Sequence, residues 1–247
     1  MKTALITGAT SGIGMATAKL FAAKGHRLIL CGRRTERLAE LKKELNTEVH
    51  TLTFDVRNRE DVFKAIESIP SEFKNIDVLL NNAGNAHGLS TIQDGNMDDW
   101  DAMMDGNVKG LLYVTKAILP KMIERNRGFI VNIGSVAAKE VYPNGNVYCA
   151  SKHAVDALSK SMRIDLAGYN IRVSAIHPGA VETEFSEVRF KGDKEKAAGV
   201  YQGFHALQAQ DIAEVIDFVT SRPSHVNIED LVVYPTAQAN TTTLTRK

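Results

Sequence analysis

Residues 2–25 read KTALITGATSGIGMATAKLFAAKG, and the fold turns on this stretch. Lys2 to Thr7 is a short apolar run that stops at a glycine-rich turn, and from Gly14 to Lys24 apolar residues recur at helical spacing. Strand, turn and helix follow in that order. Gly8, Gly12 and Gly14 lack a Cβ, so the turn can be tight and a pyrophosphate can approach backbone N–H groups at a helix N-terminus. Gly8, Ala9, Thr10, Ser11, Gly12 and Ile13 are therefore candidate contacts for a dinucleotide. The spacing G-x-x-x-G-x-G differs from the G-x-G-x-x-G fingerprint, and such a turn also occurs for purely structural reasons.

The alternation continues outward from this stretch. Strand-like runs at 27–31 (RLILC), 49–54 (VHTLTF) and 76–80 (IDVLL) precede helical patterns at 35–45, 59–69 and within 97–124. Further strands at 129–133 (FIVNI), 171–176 (IRVSAI) and 230–234 (DLVVY) alternate with helices at 147–168 and 211–221. Seven strands separated by helices predict an α/β, Rossmann-type doubly wound parallel sheet with helices on both faces, because each right-handed crossover lays a helix on one face. Ligands then belong beyond the carboxyl ends of the strands. A single domain over residues 1–247 is expected, with its least regular part, 182–206, as a lid and with Thr241 to Lys247 frayed.

The chain carries 30 basic and 29 acidic residues, interspersed, which leaves no basic tail for nucleic acid. The opening run is too short for a signal segment, and no stretch approaches the roughly 20 apolar residues of a spanning helix, so no membrane partner is expected. Cys31 and Cys149 read as buried thiols of a reducing compartment, and the cytoplasm is the expected location. His177 and the other histidines show no ligand spacing, so no metal site is expected.

The end of the second strand narrows the choice of cofactor. A site for NAD places a carboxylate about 20 positions after the glycine turn to bind the ribose 2′-hydroxyl. This chain has Leu30-Cys31-Gly32-Arg33-Arg34 there, with no carboxylate. Guanidinium forks pair with a 2′-phosphate, which points to NADP with Arg33 and Arg34 as its partners. Two arginines at a helix start oppose the macrodipole, which argues against a merely solvating role.

Tyr148 and Lys152 in YCASK stand four residues apart, so a helix would put both on one face. A free tyrosine has a pKa near 10, and a neighbouring ammonium favours its phenolate. Ser135, just past the fifth strand in NIGS, lies at the carboxyl end of the sheet, where its hydroxyl can donate to a substrate oxygen. As plain structure, Ser135 could equally be a turn or cap residue.

Taken together, these residues resemble the short-chain dehydrogenase/reductase family. TGATSGIG at 7–14, NNAG at 81–84, Asn107 in GNVKG, Ser135, YCASK at 148–152 and PG at 178–179 occur in the family's order and approximate spacing. The resemblance covers residues 2–238 and implies that Tyr148 transfers the substrate proton. It implies that Lys152 lowers the pKa of Tyr148 and binds the nicotinamide ribose, that Ser135 orients the substrate oxygen, and that Asn107 holds a water linking Lys152 to solvent. Asp55 and Val56 would contact adenine; Asn82, Ala83 and Gly84 the adjoining ribose; Pro178, Gly179, Val181 and Thr183 the nicotinamide. As plain structure, Asp55 would cap a helix, Asn82 brace a turn, and Asn107 satisfy buried backbone groups.

Within the family the chain is most similar to NADP-dependent 3-hydroxy acid dehydrogenases, through CGRRTERL at 31–38, LPKMIERNRGFIVNIGS at 119–135, TEFSEVRFKGD at 183–193 and HVNI at 225–228. Lys139, Glu140 and Cys149 are not typical of them. The likeness implies a homotetramer and a small-molecule hydroxy acid or carbonyl substrate such as L-serine or L-allo-threonine; in EFSEVRFKGD, where the family builds its substrate pocket, Arg189 is the expected carboxylate partner beside Ser135 and Tyr148, with Lys191 as its nearest rival. A broad carbonyl or ketoacyl reductase would share the catalytic residues, and an NADP-sensing binding protein would share the fold.

Overall fold

Side chains alternate along the strands between two apolar layers, so each strand is buried on both faces. In the computed structural model, which describes residues 1–247, strands β1 (Thr3–Thr7), β2 (Arg27–Gly32), β3 (Val49–Thr53), β4 (Val78–Asn81), β5 (Gly128–Ile133) and β6 (Ile171–Pro178) alternate with helices. The helices are α1 (Gly12–Ala23), α2 (Thr35–Glu44), α3 (Arg59–Glu67), α4 (Met97–Met104), α5 (Gly110–Glu124) and α6 (Asn146–Leu166). A short strand pair, β7 (Val181–Glu182) and β8 (Leu207–Gln208), brackets α7 (Phe185–Arg189) and α8 (Lys194–Gly199). Finally α9 (Ala209–Thr220) leads to β9 (Asp230–Val233).

Ala4 and Ile6 of β1, with Leu28 and Leu30 of β2, meet Phe21 of α1, Leu38 and Leu41 of α2, and Ile212 and Ile216 of α9. Leu5, Ile29 and Cys31 point the other way, toward Val62 of α3, Val114, Ile118 and Met122 of α5, and Leu166 of α6. The seven-stranded parallel sheet runs in the order β3-β2-β1-β4-β5-β6-β9, so the strand order reverses between β1 and β4. A crevice at the carboxyl ends opens at that reversal. Cys31 and Cys149 are buried and unpaired, and no helix is long and apolar enough to cross a membrane.

The sheet and its crossovers match the expected pattern, and three local features do not. The helical region within 97–124 is two helices joined by a π-helical turn, Asp105–Lys109, a feature that often marks a functional site. Residues 182–206 hold two helices of 5 and 6 residues, too short to give a period in sequence. The terminal segment is not frayed. Asn240 Oδ1 accepts from the N–H groups of Thr242 (2.9 Å) and Thr243 (2.7 Å), turning the chain into an antiparallel bridge between Gln238 and Leu244. Arg246 then donates to the carbonyls of Val200 (3.0 Å) and Gln202, and Lys247 N–H to that of Gly203 (2.7 Å). Backbone partners, rather than position in the sequence, decide whether a terminus is ordered.

The glycine turn is locked to the end of β4. Asn82 Nδ2 donates to the carbonyls of Thr7 (2.9 Å) and Gly8 (3.2 Å), while Thr7 Oγ1 accepts from the N–H groups of Asn82 and Ala83, both at 3.0 Å. Gly8 has φ +65°, the left-handed region that glycine enters without strain. A Cβ on Gly14 would lie 2.4 Å from the Gly8 carbonyl oxygen and 2.6 Å from Asn82 Nδ2. Gly14→Ala should therefore force β1 and α1 apart and cost about 1–3 kcal/mol, the usual range for overpacking. Urea melts of the two proteins measure this directly, and equal midpoints would show that the turn yields without cost.

Candidate active site

Ser135 leaves the end of β5 and caps a 3-10 turn, Val136–Ala138, its Oγ accepting from the Ala137 N–H at 3.1 Å. That bond occupies a lone pair and leaves the hydroxyl proton free to be donated. Tyr148 and Lys152 lie in the first two turns of α6, as the four-residue spacing requires, and both are buried. The Ser135 hydroxyl is a neighbour of the Tyr148 phenol. Burial pushes this phenol well above its ordinary value, and Tyr142 adds to the effect, whereas the Arg189 guanidinium and the Ser135 hydroxyl pull it down.

Lys152 is anchored to the end of β5. Its ammonium is 5.9 Å from the centre of the Tyr148 ring and donates to the Ile133 carbonyl at 3.0 Å. Burial lowers its pKa to about 8, so it is still mostly charged at neutral pH. With one of three donors used, the buried ammonium suits ribose hydroxyls. The nearer cation to Tyr148 is Arg189 of α7, whose guanidinium lies 5.0 Å from the ring centre and 5.3 Å from that of Phe185. Arg189 Nη2 donates to the Tyr142 hydroxyl at 2.5 Å, and its buried Nε has no protein partner. A small pocket opens here, lined by Tyr148 and Arg189 together with His87, Trp100, Asn144 and Asn146. Of these, only Tyr148 and Arg189 were legible in the sequence: His87 and Trp100 come from segments remote in the chain, and Asn144 and Asn146, though next to Tyr148, belong to no motif.

Asn107 sits in the π turn, where its Nδ2 donates to the Asn85 carbonyl (2.8 Å) and to Ser151 Oγ (3.0 Å), and its Oδ1 accepts from the Asn85 N–H (2.7 Å). Its side chain thus ties the loop after β4 to α6. Gly84 packs between them: a Cβ there would stand 2.7 Å from Asn107 Oδ1 and 3.8 Å from Lys152 Nζ.

The remaining expected contacts line the same crevice. Gly8, Ala9, Thr10, Ser11, Gly12 and Ile13 form the turn into α1, and Asn82, Ala83 and Gly84 follow β4. Across the crevice, Pro178 ends β6, Gly179 N–H donates to the Val233 carbonyl at 2.7 Å, and Val181 pairs with Leu207. Thr183 faces the glycine turn closely enough that a Cβ on Gly12 would meet its side chain at 3.2 Å. The glycine cradle therefore fits a dinucleotide backbone.

Arg34 donates to Thr10 Oγ1 (3.0 and 2.8 Å) and Ser11 Oγ (2.9 Å), which binds the end of β2 to the glycine turn. It also pairs with Glu184 at 2.8 Å, and Arg37 pairs with the same carboxylate at 2.6 Å. Arg33 is largely exposed, with Asp55 at 3.5 Å. Asp55 does not cap a helix. It is held by Arg57 at 2.7 Å, and Asn58 caps α3 through the N–H groups of Glu60 and Asp61. Val56 follows Asp55 beyond β3, half-buried at the edge of the second apolar layer.

The chain can be set beside known proteins at this point. The short chain dehydrogenase family profile matches residues 2–194. An NADP-dependent 3-hydroxy acid dehydrogenase of Salmonella typhi is 48% identical over 236 residues, covering 95% of each chain. Sulfoacetaldehyde reductase 2 of Chromohalobacter salexigens is 46% identical over 238 residues, covering 95% of this chain and 94% of that one. The closed form of a serine dehydrogenase complexed with NADP⁺ superposes with a TM-score of 0.95 at 45% identity, covering 99% of both chains. With the Ser135, Tyr148 and Lys152 cluster at the carboxyl end of a doubly wound sheet, the chain belongs to the short-chain dehydrogenase family of oxidoreductases.

Proposed function

We propose that this enzyme transfers a hydride between NADP(H) and the hydroxyl-bearing carbon of a small 3-hydroxy acid such as L-serine or L-allo-threonine. The observation that carries the reading is Arg189, whose guanidinium stands 5.0 Å from the ring centre of Tyr148 inside a small polar pocket. A planar fork there can take a carboxylate by two parallel hydrogen bonds and hold the neighbouring hydroxyl against Tyr148. The relatives named for 3-hydroxy acids and serine support the same substrate class. A second reading, a sulfonated aldehyde, is favoured by the sulfoacetaldehyde reductase relative, since a sulfonate also suits a guanidinium.

When bound, the nicotinamide supplies or accepts the hydride. Tyr148 takes the proton from the substrate hydroxyl in oxidation and returns it to the oxygen in reduction. The Ser135 hydroxyl donates to that oxygen as negative charge develops on it. Arg189 and Lys152 flank the Tyr148 ring, and the Arg189 guanidinium and the Ser135 hydroxyl oppose the rise in pKa that burial imposes on the phenol. Lys152 also binds the nicotinamide ribose, and Asn107 fixes the loop before it. Arg33 and Arg34 receive the 2′-phosphate, Asp55 and Val56 border the adenine, and residues 182–206 act as the substrate lid. The working form is a homotetramer, for which exposed Met104, Leu112 and Ile164 on α4, α5 and α6 provide apolar contact.

Three measurements test these assignments. Tyr148→Phe should keep NADPH affinity but lose at least about 10²-fold in kcat; activity near wild type would remove Tyr148 from proton transfer. Arg33→Ala should weaken NADPH by about 1.5–3 kcal/mol while sparing NADH, as expected for a charged hydrogen bond, and equal losses for both would make the arginine structural. Arg189→Ala should raise KM for L-serine and L-allo-threonine much more than for an uncharged aldehyde. Sulfoacetaldehyde turnover exceeding that of both hydroxy acids would favour the second reading.

A further inference from the structure

Next to Ser135 the structure gathers a four-residue ion cluster around a buried histidine. His177 of β6 is fully buried, and its Nδ1 lies 3.1 Å from the Ser135 carbonyl oxygen and 3.4 Å from the Ser135 amide nitrogen. Its ring presses against the turn itself: a Cβ on Gly134 would lie 2.3 Å from Nδ1. On the far side, Nε2 faces Asp156 Oδ1 of α6 at 3.5 Å and Asp230 Oδ1 of β9 at 3.4 Å. Lys139 Nζ joins both aspartates, to Asp156 at 2.8 Å and to Asp230 in a short contact, and Lys160 pairs with Asp156 at 2.7 Å. Asp156, His177 and Asp230 offer ligand atoms within 4.8 Å of one another, but the Lys139 ammonium already serves as their cation.

His177 Nε2 and Asp230 Oδ1 are both buried without another hydrogen-bond partner, and they face each other. A bare nitrogen lone pair in front of two carboxylates would be repelled, so the proton belongs on Nε2. In the neutral ring Nδ1 is then an acceptor, and its partner is the Ser135 N–H. A second proton would make Nδ1 a donor, and its partner would become the Ser135 carbonyl. Either way the ring grips the backbone of the residue whose hydroxyl lies next to Tyr148.

We propose that His177 is a positioning residue for Ser135: the Lys139, Asp156 and Asp230 cluster fixes its ring and proton, and the ring fixes the turn that aims the Ser135 hydroxyl at the substrate oxygen. This rests on the role given to Ser135 above. Burial and the Lys139 ammonium lower the pKa of His177, whereas Asp230, the Ser135 carbonyl and Asp156 raise it. The neutral ring is therefore the form present at neutral pH, and the form that exchanges its bond appears only in acid. The charged groups facing the ring are Lys139 from the loop after β5, Asp156 from α6, which Lys160 also pairs, and Asp230 from β9; the Gly134 turn adds none.

The test compares kcat, KM and the pH profile of kcat across the wild type and five variants. His177→Phe should lower kcat about tenfold with little change in NADPH affinity, and His177→Asn, which keeps an amide at the Nδ1 position, should recover most of it. Added to Ser135→Ala, the His177→Phe change should cost nothing further, as for residues acting through one another. Lys139→Met keeps the histidine and removes a charge that holds its pKa down, so the acid limb of kcat should move up by roughly half to one pH unit. Wild-type kcat in folded His177→Phe beside a crippled Ser135→Ala would overturn the inference alone, whereas full activity in Ser135→Ala would remove the reading on which it rests. Should His177→Phe fail to fold, an unmoved acid limb in Lys139→Met would overturn it.

Discussion

The site depends on one short-range constraint, the contact between the carbonyl of Gly8 and the α-carbon of Gly14. With no side chain at position 14, α1 starts directly against the end of β1, and the Asn82 amide closes the joint from β4. The joint lies where the strand order reverses, so it fixes at once the phosphate turn, the loop after β4 and the mouth of the crevice. Thr7 reinforces it with bonds to both Asn82 and Ala83. The lysine, the serine and the tyrosine are presented to a crevice whose floor is set here.

The reacting groups illustrate how burial and charge are balanced. The phenol of Tyr148 is buried, which favours its neutral form, and its ring packs against Phe185 at 5.6 Å. Two cations flank it from separate elements, Arg189 from α7 and Lys152 from its own helix. One is fixed in the core; the other arrives with the short helices between β7 and β8. The electrostatic state of the phenol is thus tied to how residues 182–206 are seated.

Local features were readable from the sequence and distant pairings were not. The glycine turn, the alternation of strand and helix, and the spacing of Tyr148 and Lys152 are all set within a few residues, where a periodicity or a motif suffices. The cap of α3 fell to Asn58 rather than Asp55 because Arg57 captured that carboxylate, a choice made by side chains two residues apart. The order of the tail depends on carbonyls at 200–203, more than forty positions away. His177 showed no ligand spacing, yet strand, helix and edge strand bring Asp156 and Asp230 to it. Such a cluster has no signature in one dimension, since its members share a place only after the sheet forms.

Arg34 ties three parts of the chain together. It bonds the phosphate turn through Thr10 and Ser11 and holds Glu184 at the threshold of α7. A carboxylate placed at position 34, as in a site for a cofactor with a free 2′-hydroxyl, would set two like charges face to face and leave Arg37 alone to hold that threshold. The chemistry at position 34 and the seating of α7 are therefore not independent variables in this protein, and a carboxylate there would call for a compensating neutral or basic residue in place of Glu184.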